Sequence, residues 1–182
     1  YPVAFKENYI PGGGDVYGHL WYFWWFKTAI MSGNNPFFTQ NMFYPNGVDL
    51  ILSIEPGSAI LMIPLQLIFG LIDGYKVLFL LTFIISGYGM YLLVKYLTEN
   101  KMAAFISGLI FMFSPYHFAH ALGHTNLMSI QWIPFYILFL IKIMKEDKIS
   151  NAIYAGIFLL MISISSYYYA IYIFILTGMI LL

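Results

Sequence analysis

The sequence predicts an all-α polytopic membrane protein, a transmembrane helix bundle with an external loop carrying interfacial helices. Three observations lead there. Hydrophobic residues make up 61% of the chain and aromatic residues 20%, but charged residues only 9%, against about 25% charged in an average soluble domain. Apolar runs suited to a hydrocarbon core of roughly 30 Å recur through the second half. The lysines gather at two turns between those runs. Zero formal net charge leaves no basic field for nucleic acid. The absence of cysteine removes thiol metal sites and disulfide frameworks. The chain opens at Tyr1 and stops inside the apolar run "YIFILTGMILL", so it is expected to be a fragment of a longer polytopic protein.

Residues 1–74 read as a first external loop. In "YIPGGGDVYGHLWYFWWF", residues 9 to 26, Asp15 follows a glycine run and suits the N-cap of a helix. Gly33 suits its C-terminal stop. The helix between, about 16–32, would be about 25 Å long. It carries Trp21, Trp24 and Trp25 beside Lys27. Tryptophan favours the boundary between headgroup and acyl chain, so this helix is expected to lie along the membrane surface. "NNPFF" and "YPNGVD", which contains Asp49, read as turns. "GSAILMIPLQLIFGLI", residues 57–72, is apolar but short, and Pro64 interrupts it. Read as a full span, it would put residues 1–56 in the cytoplasm. The preferred reading is an interfacial or re-entrant helix, which keeps residues 1–74 outside.

Residues 75–182 read as the transmembrane bundle. Spans are expected at about 75–97, 102–114, 126–145 and 152–182, the third kinked at Pro134. The fourth is one helix or two, broken at "SYYY". Gly87 and Gly89 suggest close packing on a neighbouring helix. Lys95 and Lys101 flank one turn, and Lys142, Lys145 and Lys148 crowd another two spans later. The positive-inside rule makes that side cytoplasmic, and residues 114–126 external.

The chemistry-bearing residues fall in the external segments. Asp15 reads as a cap, as an external acid or base at the membrane face, or as both. In "SPYHFAHALGH", Ser114 and Pro115 open a helix and Gly123 can end it. His117 and His120 then share a face, with His124 at the next turn. Three histidines are enough ligands for zinc; a phosphate or sugar contact and a structural role are the other readings, and no metal or cofactor is assigned. His19 joins them if the two external segments meet. Glu55, before Pro56, is a second external acid or a solvated loop residue. External cations are few: Lys6, Lys27, Lys76 and the histidines. "KEDK", residues 145–148, reads as a solvated cytoplasmic loop. "PGGGD" lacks the lysine and the strand-helix setting of a phosphate-binding loop. Ionisable residues lie at span ends or in loops rather than mid-membrane, which favours an interfacial enzyme over a transporter or flippase of a lipid-linked or small polar substrate.

Three stretches carry a family resemblance. "GGGDVYGHLWYFWW" resembles the opening of the first external loop of the GT-C glycosyltransferases, which include the protein O-mannosyltransferases and aminoarabinose transferases. "IEPGSAILMIPL", residues 54–65, resembles the Pro-Pro-Leu stretch later in that loop, with Gly57 at the second proline. "MYLLVKYLTENKMAAFISGLIFMFSPYHFAHALGH" resembles their span, short turn, span and second external motif, with histidines where an arginine and an acid are frequent. Val16 stands where the mannosyltransferases have a second acid. Bacterial membrane proteins of the YfhO type share the pattern. The resemblance implies transfer from a polyprenyl-phosphate sugar at the extracytoplasmic face of a membrane, expected to be a prokaryotic plasma membrane. It implies that Asp15 is the base or acceptor-orienting residue. His19, Glu55, His117, His120 and His124 are the expected donor or sugar contacts, and membrane lipid is the other partner.

Overall fold

A computed structural model describes residue 10 and residues 12–181 of the chain. The first nine residues of the expected external loop, with Lys6, lie outside the described residues. Of the described residues, 74% are helical. Among the described residues, two helical stretches are long and apolar enough to cross a membrane, Pro56–Thr98 and Lys101–Ala121.

Helix α1, Val16–Met31, buries Val16, Leu20, Phe23, Phe26 and Ala29. These residues recur every three or four positions and so form one face. A short antiparallel pair follows, β1 (Phe38–Thr39) and β2 (Val48–Asp49). This is a strand pairing that the all-α reading did not contain. Trp25 ties it to α1 by donating its indole N–H to the Pro36 carbonyl at 3.0 Å.

Helix α2, Pro56–Thr98, is two arms joined at Gly70, where φ is 79° and ψ 176°. That backbone region is open essentially to glycine alone. The arms fold back on each other: a Cβ on Gly74 would lie 3.0 Å from the Leu65 carbonyl. Leu61 and Leu65 of the first arm share a cavity wall with Leu78, Thr82 and Ile85 of the second. The segment at 57–72 is therefore one arm of a helical hairpin. Its inner face joins α1 in a core of Phe23, Ile54, Ala59, Met62, Tyr75 and Leu78. Gln66 donates to the Phe23 carbonyl at 3.0 Å across that joint.

Glu99 ends α2 in the left-handed region, with φ 55°. Asn100 then caps α3, Lys101–Met112; its side chain accepts from the backbone N–H groups of Met102 and Ala103. Helices α2 and α3 meet where Gly87 faces Gly108: a Cβ on Gly108 would lie 2.8 Å from the Gly87 carbonyl oxygen. Small residues let two backbones approach this closely. Ser114 caps α4, Pro115–Ala121, accepting from the His117 N–H at 3.3 Å.

The segment expected as one kinked helix, 126–145, is two helices. A short α5, Thr125–Met128, is followed by α6, Ile133–Lys145. Pro134 lies in the first turn of α6, where its missing N–H costs no hydrogen bond; it starts a helix rather than bending one. Helix α7, Ile149–Ser165, runs antiparallel to α6, with Phe135 stacked on Phe158 and Phe139 against Tyr154. Ser166 is extended, with φ −159°, and α8, Tyr167–Leu181, turns back. Tyr169 donates to the Leu127 carbonyl, while Tyr136 and Thr177 are hydrogen-bonded at 2.7 Å. Helix α8 thus runs parallel to α6, and the tyrosine stretch holds a reversal between two helices.

The helix cluster has two chemically distinct ends. Lys95, Glu99, Lys142 and Tyr96 meet at one. The N-terminus of α1, the start of α2, α4, α5 and the α7–α8 reversal meet at the other.

Candidate functional site

The second end is joined at two glycines, Gly12 and Gly13. Gly12 has φ +94°, and a Cβ there would lie 2.3 Å from the Leu122 carbonyl oxygen. Gly13 donates its N–H to the same carbonyl at 3.0 Å. At position 12 only a residue without a side chain can lie this close to the end of α4. This contact joins the two segments that sequence reasoning treated separately.

Asp15 occupies the N-cap position of α1, but its backbone is helical and its side chain makes no capping hydrogen bond. Its carboxylate is 72% exposed and lies 3.7 Å from Nε2 of His124, itself 52% exposed. His120 meets His124 edge to face at 5.6 Å and Tyr116 at 4.4 Å. One turn further along α1, on the same face, Nδ1 of His19 faces Oε2 of Glu55 at 3.3 Å; these side chains are 11% and 10% exposed. Asp15 and His124 are thus exposed beside a half-buried His120, and one turn along α1 the pair His19 and Glu55 is withdrawn from solvent.

His117 is placed differently. It is fully buried, stacked on Phe83 with ring centroids 3.9 Å apart, and its Nδ1 lies 3.0 Å from the Met112 carbonyl. It pins α4 to α2 in the core. Among the described residues no three His, Asp or Glu side chains stand close enough together to hold a metal ion. Lys76 pairs with Asp73 at 2.7 Å and does not line the cavity near these residues.

Next to Glu55 lies a cavity of about 330 Å³. Its polar wall includes Glu55, Asn126, Ser165 and Ser166. Of these, sequence reasoning missed Asn126; "SSYYY", which holds Ser165 and Ser166, reads in the sequence as one wall of a lipid or substrate groove. Asn126 and the serines carry no motif, and they reach Glu55 only because α5 and the α7–α8 reversal pack against the start of α2. Gly57 makes that packing possible, since a Cβ there would lie 2.5 Å from Oγ of Ser165.

A carboxylate next to an imidazole can take up and pass on a proton. A carboxylate buried beside unpaired hydroxyls can bind hydroxyl-bearing ligands.

A family model described as "Domain of unknown function (DUF6311)" matches residues 6–182. The chain belongs to that family. No curated protein and no solved structure matches it.

Proposed function

We propose that this DUF6311 member is a polytopic membrane glycosyltransferase. It takes its sugar from a polyprenyl-phosphate donor at the extracytoplasmic face, which is the histidine-bearing end. The observation that carries the reading is the joining of Asp15 to His124 through the glycine contact at Leu122. Attack by an acceptor hydroxyl on an anomeric carbon needs a base, and an accessible carboxylate is suited to that role. The departing phosphate needs donors, and His120 and His124 are the nearest. The GT-C resemblance of residues 9–26 and 54–65 supports the same assignment. The membrane setting is supported by the two long apolar helices and by large apolar side chains left on the surface of α2, α3, α7 and α8, among them Ile84, Ile110, Leu160 and Phe174. A soluble monomer rarely leaves so much contiguous apolar surface.

The test of chemistry is Asp15→Asn in the full chain, reconstituted with a polyprenyl-phosphate sugar. Turnover is expected to fall by about 10²- to 10⁴-fold, the usual worth of a general base, with the melting temperature unchanged. Because Asp15 makes no capping bond, Asp15→Ala should also leave stability close to wild type, short of the about 1 kcal/mol of a lost cap. Normal turnover in Asp15→Asn would end the catalytic reading.

The test of placement uses the absence of native cysteine. Asn46, Leu122 and Asp147 are exposed. Single cysteines at these positions are probed with an impermeant thiol reagent on intact cells. Labelling at 46 and 122 but not at 147 is expected. Labelling at 122 without 46 would overturn the shared face.

A further inference from the structure

The cavity beside Glu55 has a chemistry of its own. Glu55 is buried, and one carboxylate oxygen is turned towards His19. Ser165 and Ser166 are 1% and 2% exposed, and their hydroxyls have no hydrogen-bond partner among the described residues. Unpartnered buried hydroxyls are uncommon, because each forfeits about 1–3 kcal/mol of solvation without return. Here both line the same cavity as Glu55 and the Asn126 amide. Among the described residues no Lys, Arg or His lines it. Its remaining wall includes Leu52, Ile171 and the exposed Tyr168. The volume, about 330 Å³, falls in the roughly 300–1,000 Å³ range of small-ligand sites.

The wall therefore offers a carboxylate and an amide oxygen as acceptors, and hydroxyls and an amide N–H₂ that donate or bridge. It offers no cation to neutralise a phosphate. We propose that this cavity binds the hydroxyl groups of a neutral sugar, with Glu55 as the principal acceptor and Ser165, Ser166 and Asn126 as its partners. The histidines at Asp15 are left for the charged part of the substrate. The α7–α8 reversal at Ser166 makes the site, because a continuous helix would turn these hydroxyls into its own surface. This inference rests on the sugar-transfer reading and names which part of the substrate goes where.

The test reads binding without turnover. Tyr168→Cys, on the cavity wall of an otherwise cysteine-free chain, is labelled with a thiol reagent in liposomes holding the full chain. Labelling rates are compared with methyl β-D-glucoside, methyl α-D-mannoside or inorganic phosphate present. At least one glycoside is expected to slow labelling saturably, and phosphate to leave it unchanged. Adding Glu55→Gln should weaken protection at least tenfold, and Ser165→Ala more modestly. Melting curves taken alongside show that each variant is folded; if Glu55→Gln is not, Ser165→Ala decides. Protection by phosphate as strong as by the glycosides, no protection by either glycoside, or protection insensitive to the cavity variants would overturn the assignment. Protection without any transfer activity would instead leave the binding site standing and remove the glycosyltransferase reading.

Discussion

The two ends of the helix cluster hold their charged groups in opposite ways. At the lysine end, Lys95, Lys142 and Lys145 lean over the rings of Tyr91, Tyr96 and Phe139. Lys148 and Tyr96 both donate to Glu146 in an open turn. A groove of about 600 Å³ lies at this end, with Lys95, Glu99 and Lys142 in its wall beside aromatic and apolar side chains. Nearly every charge there is solvated, although the groups come from α2 and from α6 with the turn after it, Tyr96 reaching Glu146 across 50 residues of chain. At the histidine end, the partners also come from distant segments, His19 and Glu55 36 residues apart and Asp15 and His124 109, but Glu55, His19 and His117 are withdrawn from solvent. Solvated charges tolerate imprecise placement, because water screens them. Buried polar groups do not, because each must find its partner or bear its desolvation. That difference is what the proposed reading uses in placing the site at the histidine end.

That contrast can be broken most sharply at the glycine contact. Gly12→Val puts a branched side chain where φ is +94° and the Leu122 carbonyl is in the way. A loss of about 3 kcal/mol is expected, read as a lowered melting temperature with labelling of a cysteine at Asp147 unchanged. A wild-type melting curve would mean that the contact does not hold the site together.

The two kinds of histidine give the next contrast. His117→Ala removes a ring stacked in the core and should cost about 2 kcal/mol. His124→Ala, on the surface, should shift stability by no more than about 0.5 kcal/mol while lowering turnover. Equal melting shifts in the two variants would erase the distinction between them.

The smallest effect is expected at the lysine end. Lys148, and then Tyr96, hold the Glu146 carboxyl below the usual carboxylate range. Such a group stabilises the fold above its unfolded value of about 4.3, and the contribution is lost as pH falls through the lower folded value. Wild type and Glu146→Gln should therefore differ slightly in melting temperature at pH 7 and converge towards pH 3. A difference that grows on acidification would reverse the assignment.

Much of this architecture is written locally. The apolar runs specify helices, because a buried backbone must satisfy its own hydrogen bonds. Ser114 with Pro115 specifies where α4 starts, since a hydroxyl acceptor and a residue lacking an N–H suit a helix's first turn. The positions of the lysines follow directly from chain order. The status of 57–72 is harder to read: its length and Pro64 separate it from an ordinary span, but the fold-back depends on one glycine conformation at Gly70 that no periodicity encodes. Pro134 was legible as a helix feature and misread as a kink, because a proline at a start and a proline inside differ only in where the preceding turn ends.

The sequence by itself determined the helical class, the apolar surface and the residue types that carry chemistry at each end. Tertiary structure alone decided which of them meet. Asp15 reaches His124 because Gly12 and Gly13 lie against Leu122, and His19 reaches Glu55 because α1 packs on the first arm of α2. Ser165 and Ser166 face Glu55 because α7 and α8 reverse against Gly57. Helix formation is governed by neighbours within four positions, so a sequence read in order displays it. A cavity is governed by residues far apart in the chain, and their meeting depends on close approach at a few glycines whose contacts only the folded chain reveals.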